Sequence, residues 1–285
     1  MNELNNYIGI SQLIKWFDKY TDEFERQYPS SKENFRLKKR HSHLVSKEMV
    51  TIARSIGLGS HDIWVAENIG LLHDIGRFPQ MAEYNTFNDH DSVDHGKLGL
   101  DLIRRHNLLH EMDDYDRSVV ETAVLFHNKA SLPTLADRRH NIFAELIRDA
   151  DKLDIFRVDQ DVYLFGDSTI DRFPKGLDVS EGVYKEIVNK KMVSNINIKN
   201  RIDLVLFRIG WFFDINFAST MNMIIDRGYY ARLRSMLPDT EKIQNLLKVV
   251  DNYIIIHTIR KPFTDIIVFS NNVCGTDRSE YNRVL

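Results

Sequence analysis

Leu71-Leu72-His73-Asp74-Ile75-Gly76-Arg77 is the stretch on which the fold turns. Apolar residues lead up to a His-Asp pair and a glycine follows it. The pattern predicts a helix over His61–Ile75, with Ser60 able to cap its start, Gly76 ending it and Pro79 beyond. The pair therefore sits at the buried C-terminal end of a helix, where free carbonyls attract a cation. An ionised aspartate on an apolar helix is costly unless something compensates it. A divalent metal ion would do so, taking a nitrogen from the imidazole and an oxygen from a carboxylate that can also bridge two ions. A His-Asp dipeptide alone is a weak signal. His61-Asp62 and His90-Asp91 also occur and read as solvated pairs.

Outward from this pair, helical spacing of apolar residues dominates. Helices are expected over Ile10–Tyr28, Phe35–Ile56, Asp94–His106, Tyr115–His127, Ala136–Val158, Val183–Val193, Asn200–Arg227, Tyr229–Met236 and Thr240–Ile259. Arg77–Asp94 reads as a loop rich in Asn, Asp and aromatics, and Val158–Val179 as a connection. The fold class is all-α. Four more residues that can bind metal lie on these helices: His41 opening HSHLVSKEMV, His95 in DHGKLGLDLI, His127 ending VVETAVLFH, and Asp151 in RDADKLD. Each can project into a shared interior, as in helical bundles that hold metals. Mixed imidazole and carboxylate donors suit zinc, iron, manganese or nickel better than calcium.

The order His41, His73-Asp74, Asp151, with the local sequences HSHLV, LLHDIGR and RDADKLD, resembles the HD-domain superfamily of metal-dependent phosphohydrolases. The resemblance covers about Lys38 to Phe156. It implies an α-helical bundle with a metal at its centre, held by His41, His73, Asp74 and Asp151. His43 competes with His41 as first ligand, and Val45, four residues after His41, favours His41. Members with two metals add histidines between the pair and the last aspartate, and His95 and His127 are similar to these. Many relatives carry a His or Glu after the later histidine, where this chain has Asn128. The resemblance thus implies one or two divalent transition ions (Fe, Mn, Zn, Ni or Co). Asp74 would bridge His41, His73 and Asp151 on one side to His95 and His127 on the other.

A metal acidifies its water and stabilises charge on a phosphoryl oxygen, and cationic side chains must hold the substrate phosphate. Arg77, Lys129, Arg148 and Lys152 are candidates, with Arg77 and Lys152 favoured because each lies within a few residues of a ligand. Asp74, Arg77 and Lys152 form the expected catalytic set. The run Arg36–Arg40 reads as a solvated helix face or as a means of steering an anion. Asp149 and Asp154 could orient ligands, and a local pairing is preferred for Asp154. The Gly-Tyr-Pro stretch of cyclic-dinucleotide phosphodiesterases is absent. Gly76-Arg77 replaces the Glu-Asp step of alarmone hydrolases. The expected activity is hydrolysis of a nucleotide or other small phosphoester. The same ligand order also resembles HD-type di-iron oxygenases, and an inactive ligand-binding HD domain is the third reading, disfavoured by the complete ligand set.

The chain has 285 residues, 43% of them hydrophobic and 28% charged, with a formal net charge of −3. This suits a soluble globular protein with no strong pull toward nucleic acid or membrane. Residues 1–158 are expected to form the HD core and residues 159–285 a helical extension packed on it, the alternative being one continuous domain. Within that extension IDLVLFRIGWFFDINFAS is apolar enough to pack on the core or to form a homodimer interface. One cysteine, Cys274, permits no internal disulfide. With no basic start followed by an apolar run, a cytoplasmic location is expected.

Overall fold

A computed structural model describes residues 9–158, 173–176 and 178–260. Cys274, the tail from Ser270 and most of the Val158–Val179 connection lie outside the described residues. The order is α1 (Gly9–Gln27), α2 (Lys32–Ser55), α3 (Ser60–Leu72), α4 (Arg77–Tyr84), α5 (His95–Arg105), α6 (Asp114–Phe126), α7 (Arg138–Val158), α8 (Glu181–Val188), α9 (Arg201–Gly210), α10 (Ala218–Asp226), α11 (Tyr229–Ser235) and α12 (Glu241–Arg260). The described residues contain no strand, so the all-α expectation holds. No described helix is long and apolar enough to cross a membrane.

Helix α2 runs through the centre, with α3 and α7 as its main neighbours. Its buried stripe is His41, Ser42, Val45, Ser46, Met49, Ile52 and Ala53, the spacing of one helical face. Helix α3 approaches closely because Gly70 has no side chain. A Cβ there would stand 2.5 Å from the Cα of Ser46. The apolar core runs on from Leu13 and Phe17 through α2, α3 and α7 to Phe212, Ile224 and Ile254. Ile209 and Phe212 of the IDLVLFRIGWFFDINFAS stretch are fully buried in it.

Two expectations about elements need correction. Arg77–Asp94 is not all loop: α4 occupies its first half and a short 3-10 turn spans Asp89–Asp91. Pro79 falls in the first turn of α4, where a missing N–H costs no helical hydrogen bond. The long helix over Asn200–Arg227 is broken. It stops at Gly210, passes through a 3-10 turn at Trp211–Asp214 and restarts at Ala218. At the break, the backbone N–H groups of Asn216 and Phe217 donate to the Asp149 carboxylate on α7 at 2.9 and 3.0 Å.

Candidate metal centre

Six side chains from five helices and their ends converge on one buried point. His41 and Asp151 lie within α2 and α7. His73 and His127 cap the C-terminal ends of α3 and α6, each continuing the helical turn. His95 is the first residue of α5, set there by Asp94, whose carboxylate accepts from the N–H groups of Gly96 and Lys97. Asp74 follows His73. Gly76 then lets the chain pass against α5, since a Cβ there would lie 2.7 Å from the Gly99 nitrogen and closer still to the His95 carbonyl.

The Asp74 carboxylate faces two separate groups of donors. Its Oδ2 lies 3.6 Å from His41 Nε2 and 3.7 Å from His73 Nε2. These two nitrogens are 3.3 Å apart, and Asp151 Oδ1 stands 3.1 Å from the first and 3.9 Å from the second. Its Oδ1 lies 3.4 Å from His95 Nε2 and 3.6 Å from His127 Nε2, which are 3.0 Å from one another. Ion–donor distances of about 2.0–2.2 Å imply donors about 3 Å apart at right angles and about 3.4 Å apart at tetrahedral angles. Both groups match that spacing.

All four imidazoles present Nε2 to the centre because Nδ1 is engaged elsewhere. Nδ1 of His73 is bonded to the Gly70 carbonyl at 2.8 Å and that of His127 to the Val124 carbonyl at 2.7 Å. His41 Nδ1 pairs with Asp154 and His95 Nδ1 with Asp89, each at 2.7 Å. An acceptor at Nδ1 fixes ring orientation and leaves Nε2 free to bind a metal. Asp154 therefore orients His41, while also pairing with Arg157. Asp149 instead serves the break between α9 and α10.

The electrostatics favour deprotonated donors, the form that binds metal. Burial pushes His73 down to about 3 and, despite the bond to Asp89, His95 down to about 4. Burial alone would raise Asp74, but Lys38 and then His73 hold it well below the usual carboxylate range. Asp151 is also lowered: burial would raise it, but the His41 hydrogen bond and the nearby charges of His41 and His73 together prevail. His41 differs. Burial and Lys38 oppose its proton, yet the bonds to Asp151 and Asp154 raise it above the ordinary histidine value.

The cations divide into two sets. Lys38 Nζ lies 2.7 Å from Asp74 Oδ2 and Arg77 Nε 3.4 Å from Asp74 Oδ1. The ring of Phe87 lies beside both, at 5.5 and 5.9 Å. Arg77 also bonds Asp89 and the Phe87 carbonyl. Lys152 and Arg148 are buried, not solvated, and each meets Asp214 Oδ2 at 2.7 Å. Lys129 pairs with Asp94. His43 lies outside the cluster, bonded to Asp18. His61-Asp62 is not a solvated pair: Asp62 is buried against Arg139, whereas His90 and Asp91 are exposed.

The sequence reading passed over Asp89 and did not single out Lys38 within its basic run. Asp89 lies where no periodic pattern exists to mark it. Asn128, at the position where relatives carry a further ligand, donates to Asp89 and Asp94 at 2.9 and 2.8 Å and so braces the group that holds His95.

The family profile described as "HD domain" matches residues 39–155. Comparison with curated proteins and with solved structures gave no match. The matched segment, under half of the chain, contains all six converging side chains, so residues 39–155 are similar to an HD domain.

Proposed function

We propose that this protein is a metal-dependent phosphohydrolase acting on a nucleotide or other small phosphoester. In this reading His41, His73, Asp74 and Asp151 hold one divalent transition ion, and Asp74, His95 and His127 hold a second. The observation that carries it is the Asp74 carboxylate, whose two oxygens face two distinct groups of buried donors. When bound, such ions supply an acidified water and positive charge beside a phosphoryl oxygen.

The chain's own residues contribute binding and orientation. Asp154 and Asp89 keep Nε2 of His41 and His95 aimed inward. Lys38 and Arg77 stand at opposite oxygens of Asp74 with side chains only partly buried, 19% and 17% exposed. Ions that neutralise Asp74 would free Lys38 for substrate phosphate, while Arg77 stays anchored beside it on Asp89 and Gln80. The aromatic face of Phe87 between them suits the flat part of a nucleotide. Lys152, held with Arg148 on Asp214, supplies further positive charge one residue from Asp151.

A second reading, an HD-type di-iron oxygenase, is favoured by the complete set of four histidines and two aspartates. One experiment separates the two. Protein purified without chelators is assayed for metal content, then for phosphate release from a panel of nucleotides and phosphoesters with added manganese, beside oxygen consumption in the iron-loaded form. Phosphate release that disappears in Asp74→Ala supports the hydrolase. Oxygen uptake without phosphate release supports the oxygenase, and absence of bound transition metal overturns both.

A further inference from the structure

A cavity of about 310 Å³ lies between α1, α3 and the turn joining α5 to α6. It shares no residue with the metal centre. Leu13, Leu109 and Met112 form its apolar lining, and the indoles of Trp16 and Trp64 stand on α1 and α3. Trp16 is held by its own helix: its ring stacks on Tyr20 with centroids 4.9 Å apart and planes 13° from parallel. Gln12, His106, Asn107, His110 and Glu111 add polar groups to the lining, and a cavity of this size that pairs aromatic walls with polar side chains has the character of a small-molecule site.

The polar group that distinguishes it is Asn68. This side chain is 3% exposed and lines the cavity. Its Nδ2 donates to the Trp64 carbonyl at 2.8 Å. Only the amide nitrogen can make that bond, so the orientation of the amide is fixed. No hydrogen bond among the described residues reaches its Oδ1. The atom is not fully enclosed by protein, and Asn68 lines the cavity, so it opens there. A carbonyl that opens to a cavity can accept from a ligand's donor in place of water.

We propose that this cavity binds a flat heteroaromatic small molecule carrying an N–H or O–H donor. The ring packs against Trp16 and Trp64 and the donor bonds to Asn68 Oδ1. The site is independent of the phosphohydrolase reading, because it uses none of the residues that carry that reading. Two of its walls lie on α3, the helix that ends at His73, so a bound molecule rests on an element of the metal centre.

The test uses the full chain labelled with 5-fluorotryptophan. The sequence has three tryptophans, and the third, Trp211, packs against Phe156 and Phe207 away from the cavity, providing an internal reference. Benzimidazole and N-methylbenzimidazole, which lacks the donor, are titrated and followed by fluorine NMR. Saturable shifts of the Trp16 and Trp64 lines are expected with Trp211 unmoved, and the methylated probe should bind about tenfold more weakly. In Asn68→Ala the two probes should bind equally. The proposal fails if neither cavity tryptophan shifts saturably, if Trp211 shifts in parallel, or if wild-type protein does not distinguish the probes. The wild-type comparison needs no variant to fold.

Discussion

At the scale of single residues, the centre is defined as much by what holds each imidazole as by the donors themselves. Asp89 and Asp154 do equivalent work for His95 and His41, so their substitutions should have separable effects. Asp89→Asn should weaken ion binding at the His95–His127 pair about 10–100-fold and leave the His41–His73–Asp151 group nearly intact. A manganese titration should then show one tight ion, against two expected in the wild type. Asp154→Asn should reverse the pattern. Asp74→Ala should remove both ions and bring activity to background, since both groups lose their shared oxygen donor. All six donors were legible in the sequence, because each stands in a short motif or at a helix end. Asp89, Lys38 and the partners of Arg148 and Lys152 were not. Lys38 looked like its neighbours in RLKKR, yet Arg36 pairs with Glu25 and Lys39 with Asp22 while Lys38 alone reaches Asp74. Which face of a basic helix is covered depends on what packs on it, and α2 is covered mainly by α3 and α7.

At the scale of elements, the helices that carry the donors were readable from spacing and caps to within a few residues. The errors fall where tertiary contacts override the local pattern. Pro79 read as a stop signal but serves as a first-turn residue of α4. The apolar run from Asn200 read as continuous helix, but Asp214 is drawn to Arg148 and Lys152 while Asp149 captures the backbone N–H groups of Asn216 and Phe217. Neither pull can be seen from the run itself. The approach of the Gly76 backbone to α5 leads to an element-scale prediction. Gly76→Ala should force α5 away from the His-Asp turn and cost about 1–3 kcal/mol through overpacking. It should lower the thermal unfolding midpoint and also loosen metal binding at His95, although no donor is changed. An unaltered midpoint with full metal affinity would count against this close packing.

At the scale of the whole molecule, two cohesive features invite measurement. The centre concentrates ionisable groups in a buried space, and ions that bind only the folded chain add stability. At a free concentration 100-fold above the dissociation constant, the gain is about 2.7 kcal/mol. Chelation should therefore lower the unfolding midpoint, and added manganese should restore it. The second feature is the grip of α7 on the segment between α9 and α10. Asp149 is fully buried and accepts from the backbone N–H groups of Asn216 and Phe217 and from the Asn216 side chain. Asp149→Ala leaves these donors without a partner and should cost about 2–5 kcal/mol. Asp149→Asn, which keeps one acceptor oxygen, should cost less, as chemical denaturation would measure. The same grip bears on modularity. On α7, Asp151 faces the metal donors while Asp149, Arg148 and Lys152 meet residues beyond position 200, so one short run of chain answers to both halves. A fragment cut at residue 158 would retain every metal donor. It would also bare a carboxylate and two cations whose partners had been removed, beside an apolar face that α10 normally covers. The stretch recognisable as an HD domain is thus not detachable: expressed alone, it should aggregate rather than yield a smaller working enzyme.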